Sequence, residues 1–224
     1  MKRLLALLLV IIPAISFAAE LPALTGRVVD NANILSPQTK AQLTANLEAH
    51  EKQTTNQVVV VTVPSLNNQP IEDFGVKLGR AWGIGQKGKN NGVLFVIAPN
   101  DRQVRIEVGY GLEGTLTDAL SSKIIQSIVL PQFRAGNIEG GVVDGTTAII
   151  SVLGGKVVNF PAQQPQEDVP SWVIILILII IIIFRIYGGF WVGGSGFSMG
   201  SGGFGRGFSG GGGSFGGGGS SGRW

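Results

Sequence analysis

Three acidic side chains beside predicted helices are the strongest candidates for chemistry in this sequence. Asp30 lies just before the first predicted helix, and Glu113 and Asp118 lie at the end of a glycine-rich stretch. Calcium and magnesium bind several carboxylate and carbonyl oxygens that come from different segments. If the fold brings these loops together, Asp30, Glu113 and Asp118 form a divalent-metal site. The alternative for Asp118 is that it only complements the dipole of the helix that begins there.

The glycine-rich stretch, residues 109–114, reads GYGLEG and so contains G-x-G-x-x-G between a predicted strand and a predicted helix. A dinucleotide site needs a further strand after that helix, whereas Pro131 follows the helix and no strand is predicted downstream. We therefore reject the nucleotide interpretation. Glycine still permits close backbone approach at a helix N-terminus, which predicts a ligand loop formed by Gly109, Tyr110, Gly111 and Gly114.

Other residue types limit the chemistry further. The sequence has no cysteine, which excludes thiolate catalysis, disulfides and cysteine-based zinc sites. His50 is the only histidine, so a multi-histidine metal site is excluded as well. Its charged neighbours on a predicted helix indicate a surface position. Asp101 falls in a predicted hairpin turn, and turn geometry explains it without a ligand.

The first 18 residues have the three parts of a secretory signal peptide. Lys2 and Arg3 form the positive region, residues 4–12 form the apolar region, and residues 16–18 (SFA) form a small-x-small cleavage site. We therefore predict export, with residues 1–18 removed.

A second apolar segment predicts a membrane anchor. Residues 172–184 are continuously apolar, with Glu167 and Asp168 before them and Arg185 after them. This pattern predicts a transmembrane helix over residues 170–192. Positive charge on its C-terminal side predicts a cytoplasmic tail. The folded domain then lies on the periplasmic or extracellular side of the cell (inner) membrane, in a single-pass topology.

The remaining segments follow from composition. Residues 161–169 form a proline- and glutamine-rich linker, and residues 193–224 form a glycine- and serine-rich low-complexity tail with scattered phenylalanines. Such a tail lacks the apolar side chains needed to offset its ordering entropy, which predicts disorder. Its two arginines, Arg206 and Arg223, are too few for an RNA-binding tail, so no nucleic-acid partner is expected. One folded domain remains, over residues 19–160.

Alternating helices and strands define the class of that domain. Apolar periodicity and capping residues predict helices that are separated by Val-rich buried strands, with a hairpin at residues 99–102. The helices are predicted over 37–53, 70–82, 117–130 and 138–153, and the strands over 57–63, 92–98 and 104–108. This order predicts an α/β fold, a three-layer α/β/α sandwich whose mixed sheet includes one β-hairpin.

Several motifs carry a family resemblance. They are the segments VVD (28–30), QVVVVTV (57–63), WGIG (82–85), NGVL (91–94), RIEVGYGLEG (105–114) and LTD (116–118). On these motifs residues 26–153 resemble the TPM domain family, and the signal peptide, anchor and glycine-rich tail are similar to its bacterial membrane-anchored members. The resemblance implies an α/β sandwich. Some members are called phosphatase-like and divalent-metal-binding, and others serve the assembly or repair of membrane complexes.

Two functions stay open on this basis. The first is a non-catalytic accessory factor that assembles, maintains or repairs membrane complexes through a membrane-protein partner. The second is a weak acid phosphatase assisted by Ca²⁺ or Mg²⁺ held by Asp30, Glu113 and Asp118. The sequence shows no activated nucleophile for phosphoryl transfer, which favours the accessory factor and leaves catalysis undecided.

Overall fold

A five-stranded mixed sheet forms the centre of the folded domain. The computed structural model describes residues 21–161 and 215–224, together with 176, 179 and 180. The strands, in spatial as well as chain order, are β1 (Val28–Asp30), β2 (Gln57–Thr62), β3 (Gly92–Ala98), β4 (Gln103–Gly109) and β5 (Phe215–Arg223). The first three are parallel, whereas β4 runs antiparallel to β3, and β5 antiparallel to β4.

Three of the five α-helices described in the domain begin with a side-chain cap. The five helices are α1 (Pro37–Thr54), α2 (Ile71–Trp82), α3 (Asp118–Ile124), α4 (Leu130–Arg134) and α5 (Ile138–Leu153). Ser36, Thr117 and Asn137 each accept a hydrogen bond from a backbone N–H in the first turn of α1, α3 and α5. Such side-chain caps specify where a helix starts.

Helices cover both faces of the sheet. On one face α2 buries Phe74 and Leu78 against apolar residues of β2 and β3. On the other face, a Cβ added to Gly145 of α5 would lie 2.9 Å from the Phe95 ring of β3. The central strands are therefore apolar on both faces, as their sequences indicate. The α/β class and the mixed sheet with its hairpin are confirmed.

The helix predicted over residues 117–130 takes a different form. After α3 the chain makes a π-helical turn over Ile125–Val129, in which Leu130 N–H donates to the Ile125 carbonyl, and α4 follows. Pro131 lies in the first turn of α4, where its missing N–H costs little. Pro131 was expected to end the helix, but the π turn lets the chain continue through it.

The last ten residues also differ from the predicted disordered tail. Residues 215–223 form β5 at the edge of the sheet, and residues 215–224 belong to one compact unit with the domain. Backbone hydrogen bonds to β4 order this segment, so it needs few apolar side chains.

Several predicted segments lie outside the described residues: the signal peptide, most of the linker and apolar segment, and tail residues 193–214. Residues 176, 179 and 180 are helical. Within the described ranges no helix has the length and hydropathy that a membrane crossing requires.

Candidate functional site

Asp30 ends β1 and is held by donors from four neighbours. Its Oδ1 accepts from Thr62 Oγ1 at 2.6 Å and from Ile34 N–H at 3.1 Å. Its Oδ2 accepts from Leu35 N–H at 3.2 Å and lies 3.2 Å from Lys40 Nζ. The side chain is 1% exposed. These contacts fasten the loop after β1 to the start of α1.

The pKa of Asp30 reflects this environment. Burial of the carboxylate raises its pKa, but the hydrogen bonds from Thr62, Ile34, Lys40 and Leu35 together outweigh burial and hold the pKa below its ordinary value of 3.8. Since both oxygens are already occupied by donors, a metal ion would have to displace them.

Glu113 and Asp118 lie at the other end of the sheet. Asp30 pairs with Thr62 near the end of β2, whereas Gly109, which leads to Glu113, follows Val108, which pairs with Val93 at the start of β3. The antiparallel direction of β4 thus separates Asp30 from the other two acids. In the described part of the chain no three His, Cys, Asp or Glu side chains are grouped to hold a metal ion. The three predicted ligands do not share a site.

Close backbone packing explains two glycines of the predicted ligand loop. A Cβ on Gly109 would collide with the Asn90 carbonyl, and a Cβ on Gly111 with the Lys89 carbonyl. Gly111 N–H also donates to Asn90 O at 3.1 Å. Gly114 has open space around it, and Tyr110 is 49% exposed. The glycines at 109 and 111 therefore serve contact with the loop before β3.

A buried ion pair lies on the face of β4 under α2. Arg105 Nε donates to Glu107 Oε2 at 2.6 Å, and the two residues are 4% and 0% exposed. A Cβ on Gly75 of α2 would lie 3.3 Å from Arg105 Cδ and 3.4 Å from Glu107 Oε2. Gly75 therefore allows α2 to cover the pair closely.

Glu107 is incompletely satisfied. Its Oε1 is buried and makes no well-formed hydrogen bond within the described ranges. Burial raises the pKa of Glu107, against the lowering effects of Arg105, the Gly217 N–H and Arg80. Buried groups with such pKa shifts are typical of functional sites, although structural ion pairs show them as well.

β5 completes the surroundings of this pair. Arg105 Nη1 donates to Ser221 Oγ at 3.0 Å, and Nη2 donates to the Gly217 carbonyl at 3.1 Å. Ser221 Oγ in turn donates to Glu72 Oε1 of α2 at 2.6 Å. This hydrogen bond is the main cause of the lowered pKa of Glu72. A chain of polar contacts therefore links α2, β4 and β5.

Asp118, which follows the loop of residues 109–114, also binds β5. Gly219 N–H donates to Asp118 Oδ1 at 2.6 Å. At the other end of β5, Trp224 N–H donates to Arg102 O at 3.2 Å, and the Trp224 ring packs on Phe133 with centroids 4.5 Å apart. Asp118, a predicted metal ligand, thus holds a backbone N–H.

The slot that holds β5 is tightest around Gly219 and Gly222, whereas at Gly216 and Gly218 a Cβ would meet only the ends of the flexible Tyr110 and Glu113 side chains. A Cβ on Gly218 would lie 2.5 Å from Glu113 Oε1, and one on Gly222 would lie 2.5 Å from Ile125 Cγ2. The two restricted positions are therefore Gly219 and Gly222. We define the β5 slot as the edge of β4 with its flanks on α2, α3, the π turn and the 109–114 loop.

Sequence reasoning missed this slot. One signal was present: Arg105 and Glu107 are opposite charges two residues apart, on the same face of a strand that was predicted correctly. The glycine-rich segment gave no such signal. His50 also differs from its expected surface position, since it is 7% exposed and burial lowers its pKa.

Comparison with known proteins gives one family match and several similar solved structures. Residues 28–152 match the model of the TPM domain. No curated protein matches the sequence. A solved N-terminal domain of a protein from P. gingivalis is 42% identical, with a TM-score of 0.55, over 58% of this chain and 83% of that chain.

Two further solved structures are more distant. A protein from the psychrophilic bacterium Bizionia argentinensis is 20% identical, with a TM-score of 0.48, over 61% of this chain and 90% of that one. The N-terminal domain of a protein from Corynebacterium glutamicum is 15% identical, with a TM-score of 0.47, over 67% of this chain and 95% of that one.

Proposed function

Since this chain belongs to the TPM domain family, we propose that it is a membrane-anchored accessory factor without a catalytic role. It assists the assembly, maintenance or repair of membrane complexes. It acts by taking up an extended segment of a membrane-protein partner at the edge of β4. One observation carries the proposal: this edge accepts a strand that is remote in sequence, and polar side chains of the domain bind that strand.

Strand addition is a common way for a sheet to bind a peptide. Backbone hydrogen bonds provide affinity, and pockets for side chains provide specificity. Here β4 provides the backbone edge, Glu72 and Arg105 contact the Ser221 hydroxyl specifically, and Asp118 holds the Gly219 N–H. None of these contacts needs an activated nucleophile, which agrees with a binding role.

The cellular placement is part of the proposal. The sequence supports export through residues 1–18 and anchoring through residues 170–192, with the domain on the periplasmic or extracellular side of the cell membrane. A membrane-protein partner fits this placement.

The metal-assisted phosphatase receives less support from the geometry. Its ligand set required Asp30 near Glu113 and Asp118, and these residues lie at opposite ends of the sheet. Asp30 and Asp118 also hold other parts of the chain through their carboxylates. The accessory role is therefore the better supported function.

A reversible covalent lock tests the proposal. Gln103 and Arg223 are directly opposite in the β4–β5 pairing. Opposed antiparallel residues have Cα atoms about 4.5–5.5 Å apart, within the range of a disulfide. Since the chain has no cysteine, the double variant Gln103→Cys/Arg223→Cys forms a single disulfide that fixes β5 to β4.

The full-length double variant, solubilised in detergent, is used for affinity capture in its oxidised and reduced forms. We expect the reduced form to retain a membrane protein that the oxidised form loses. The single variant Gln103→Cys controls for the redox treatment. Equal capture by the oxidised and reduced forms would exclude the β4 edge as the binding site.

A further inference from the structure

We propose that the β5 slot is a selective binding site for extended glycine-rich segments, and that β5 is its built-in ligand and competitor. This inference rests on the proposed function for the claim that a partner binds at the edge of β4. It adds the chemical class of the segment that binds there. A partner segment enters only when β5 has left.

An empty β5 slot is unfavourable because it leaves polar groups of the domain without partners. Residues Gln103 to Val108 pair with Arg223 to Gly218, so an empty slot leaves the edge of β4 without these hydrogen bonds. It also removes the Ser221 and Gly217 oxygens that Arg105 contacts. Since buried charge without partners is costly, an empty slot favours either water or another strand.

The slot selects glycine by shape. Gly222 faces Ile125 and Leu130 on one side of β5, and a Cβ there would lie 2.5 Å and 3.2 Å from their side chains. At Gly219, where φ is +120°, a Cβ would collide with the Ile106 carbonyl of β4 itself. That contact is with backbone, so a rotamer change does not relieve it. A strand with ordinary side chains at these positions does not fit.

Two side chains supply further selectivity. The Ser221 hydroxyl accepts from Arg105 and donates to Glu72, a combination that needs a hydroxyl at this position. The Trp224 ring covers Phe133. The ligand class is therefore an extended segment with small residues at the two restricted positions, a hydroxyl at the position opposite Arg105, and an aromatic residue at the position of Trp224.

β5 itself meets all these requirements and is attached to the domain. A tethered ligand binds at an effective concentration that a free segment must exceed. The occupied slot is thus the resting state, and β5 regulates access by competition.

Peptide binding measures this competition. A fluorescent peptide of residues 213–224 is titrated into the full-length protein and into two variants that free the slot: the chain truncated after Gly212 and full-length Gly222→Val. We expect both variants to bind the peptide at least tenfold more tightly than the wild type. A peptide carrying Gly222→Val, and a scrambled peptide of the same composition, should bind at least tenfold more weakly than the native peptide.

A matched pair of substitutions tests the site on the protein. Glu72→Gln in the truncated chain removes the charged acceptor of the Ser221 hydroxyl, so binding should weaken severalfold. Glu48→Gln, on α1, should leave binding unchanged. Absence of binding to both slot-free variants, or equal binding of native and scrambled peptides, would overturn the inference.

The outcomes separate this ligand class from the proposed function. If the peptide binds as described but the oxidised double-cysteine protein captures the same partners as the reduced form, the accessory role at this edge fails and the glycine-selective slot stands. If capture depends on the lock but the native and scrambled peptides bind equally, the accessory role stands and the glycine selectivity fails.

Discussion

Arg105 and Glu107 show how single residues connect the domain core to the last strand. The pair is buried, yet both terminal nitrogens of Arg105 donate to atoms of β5. A buried ion pair adds little to the net free energy of unfolding, but the loss of one partner is strongly destabilising. The pair therefore acts mainly as a selective contact for whichever strand occupies the edge.

Asp30 gives a prediction about stability in acid. Its folded pKa lies below 3.8, so its contribution to stability is full above that value and is lost as the pH falls through the folded pKa. Asp30→Asn loses a charged acceptor and leaves buried donors unpaired, which should cost about 1–3 kcal/mol at pH 7. Chemical denaturation of the full-length protein between pH 2 and pH 7 measures both effects, with an expected weaker acid dependence in the variant.

The exposed Asp144→Asn variant is the control for this substitution. It should keep the wild-type stability within a few tenths of a kcal/mol. A neutral effect of Asp30→Asn at pH 7 would contradict the role of Asp30 as an anchor between β1 and α1.

Divalent-metal binding stays a prediction, and the geometry changes the residues on which it depends. Glu113 and Asp118 both contact β5, whereas Asp30 lies at the far end of the sheet. We expect any rise in melting temperature with millimolar Ca²⁺ or Mg²⁺ to be reduced in Asp118→Asn and kept in Asp30→Asn. Differential scanning calorimetry of each variant with and without metal measures it, and loss of the shift only in Asp30→Asn would contradict this assignment.

The separation of the three acids could have been predicted from residues already identified. The hairpin between β3 and β4 was recognised in the sequence, and a hairpin reverses the strand direction. The end of β4 therefore lies beside the start of β3, away from Asp30. The rule that ligands gather at the C-terminal ends of parallel strands does not apply to β4.

At the scale of elements, side-chain patterns decided what the sequence could predict. The strand Gly92–Ala98 and the helix Ile138–Leu153 have the bounds expected from their apolar patterns and caps. Five of the nine residues of β5 are glycine, so the strand lacks the apolar alternation that identifies strands. Its pairing depends on backbone groups and on space left by the domain, and neither is visible in one-dimensional sequence.

Substitution of a slot glycine should detach β5 as a unit. Gly222→Val places atoms where Ile125 and Leu130 lie, so the strand cannot keep its register. We expect backbone amides of β4 to lose at least tenfold protection from hydrogen exchange, while amides of β2 stay protected. Mass spectrometry of the full-length protein measures this exchange.

Gly114→Ala serves as the matched control, because a Cβ at Gly114 meets nothing within 4 Å. It should leave β4 protected. Equal protection of β4 in Gly222→Val and the wild type would show that β5 does not cover this edge in solution.

At the scale of the whole molecule, β5 constrains the position of the chain at a membrane. Residues 215–224 belong to the same compact unit as the domain. Both must therefore lie on the same side of a membrane while they are paired within one molecule. The predicted single crossing over residues 170–192, with a cytoplasmic tail, requires β5 to lie apart from the domain of the same molecule.

Cysteine labelling in intact cells decides between the two arrangements. Single cysteines replace the exposed Lys156 and Arg223 in a chain that otherwise has none. We expect both variants to react with a membrane-impermeant maleimide from the outer side, since the strand pairing places them together. Reaction at position 156 alone would support the single crossing and place β5 apart from the domain in cells.

The chain that connects the domain to β5 makes the departure and return of β5 intramolecular events. The domain and β5 are parts of one continuous chain, so β5 can return to its edge after each departure. One peptide-bond cleavage between residues 162 and 214 would leave every contact of β5 in place but make its departure a dissociation. Occupancy of the edge would then fall on dilution, which it does not in the intact chain. A protease acting on that segment would thus make occupancy of the edge depend on protein concentration, without touching any residue of the sheet.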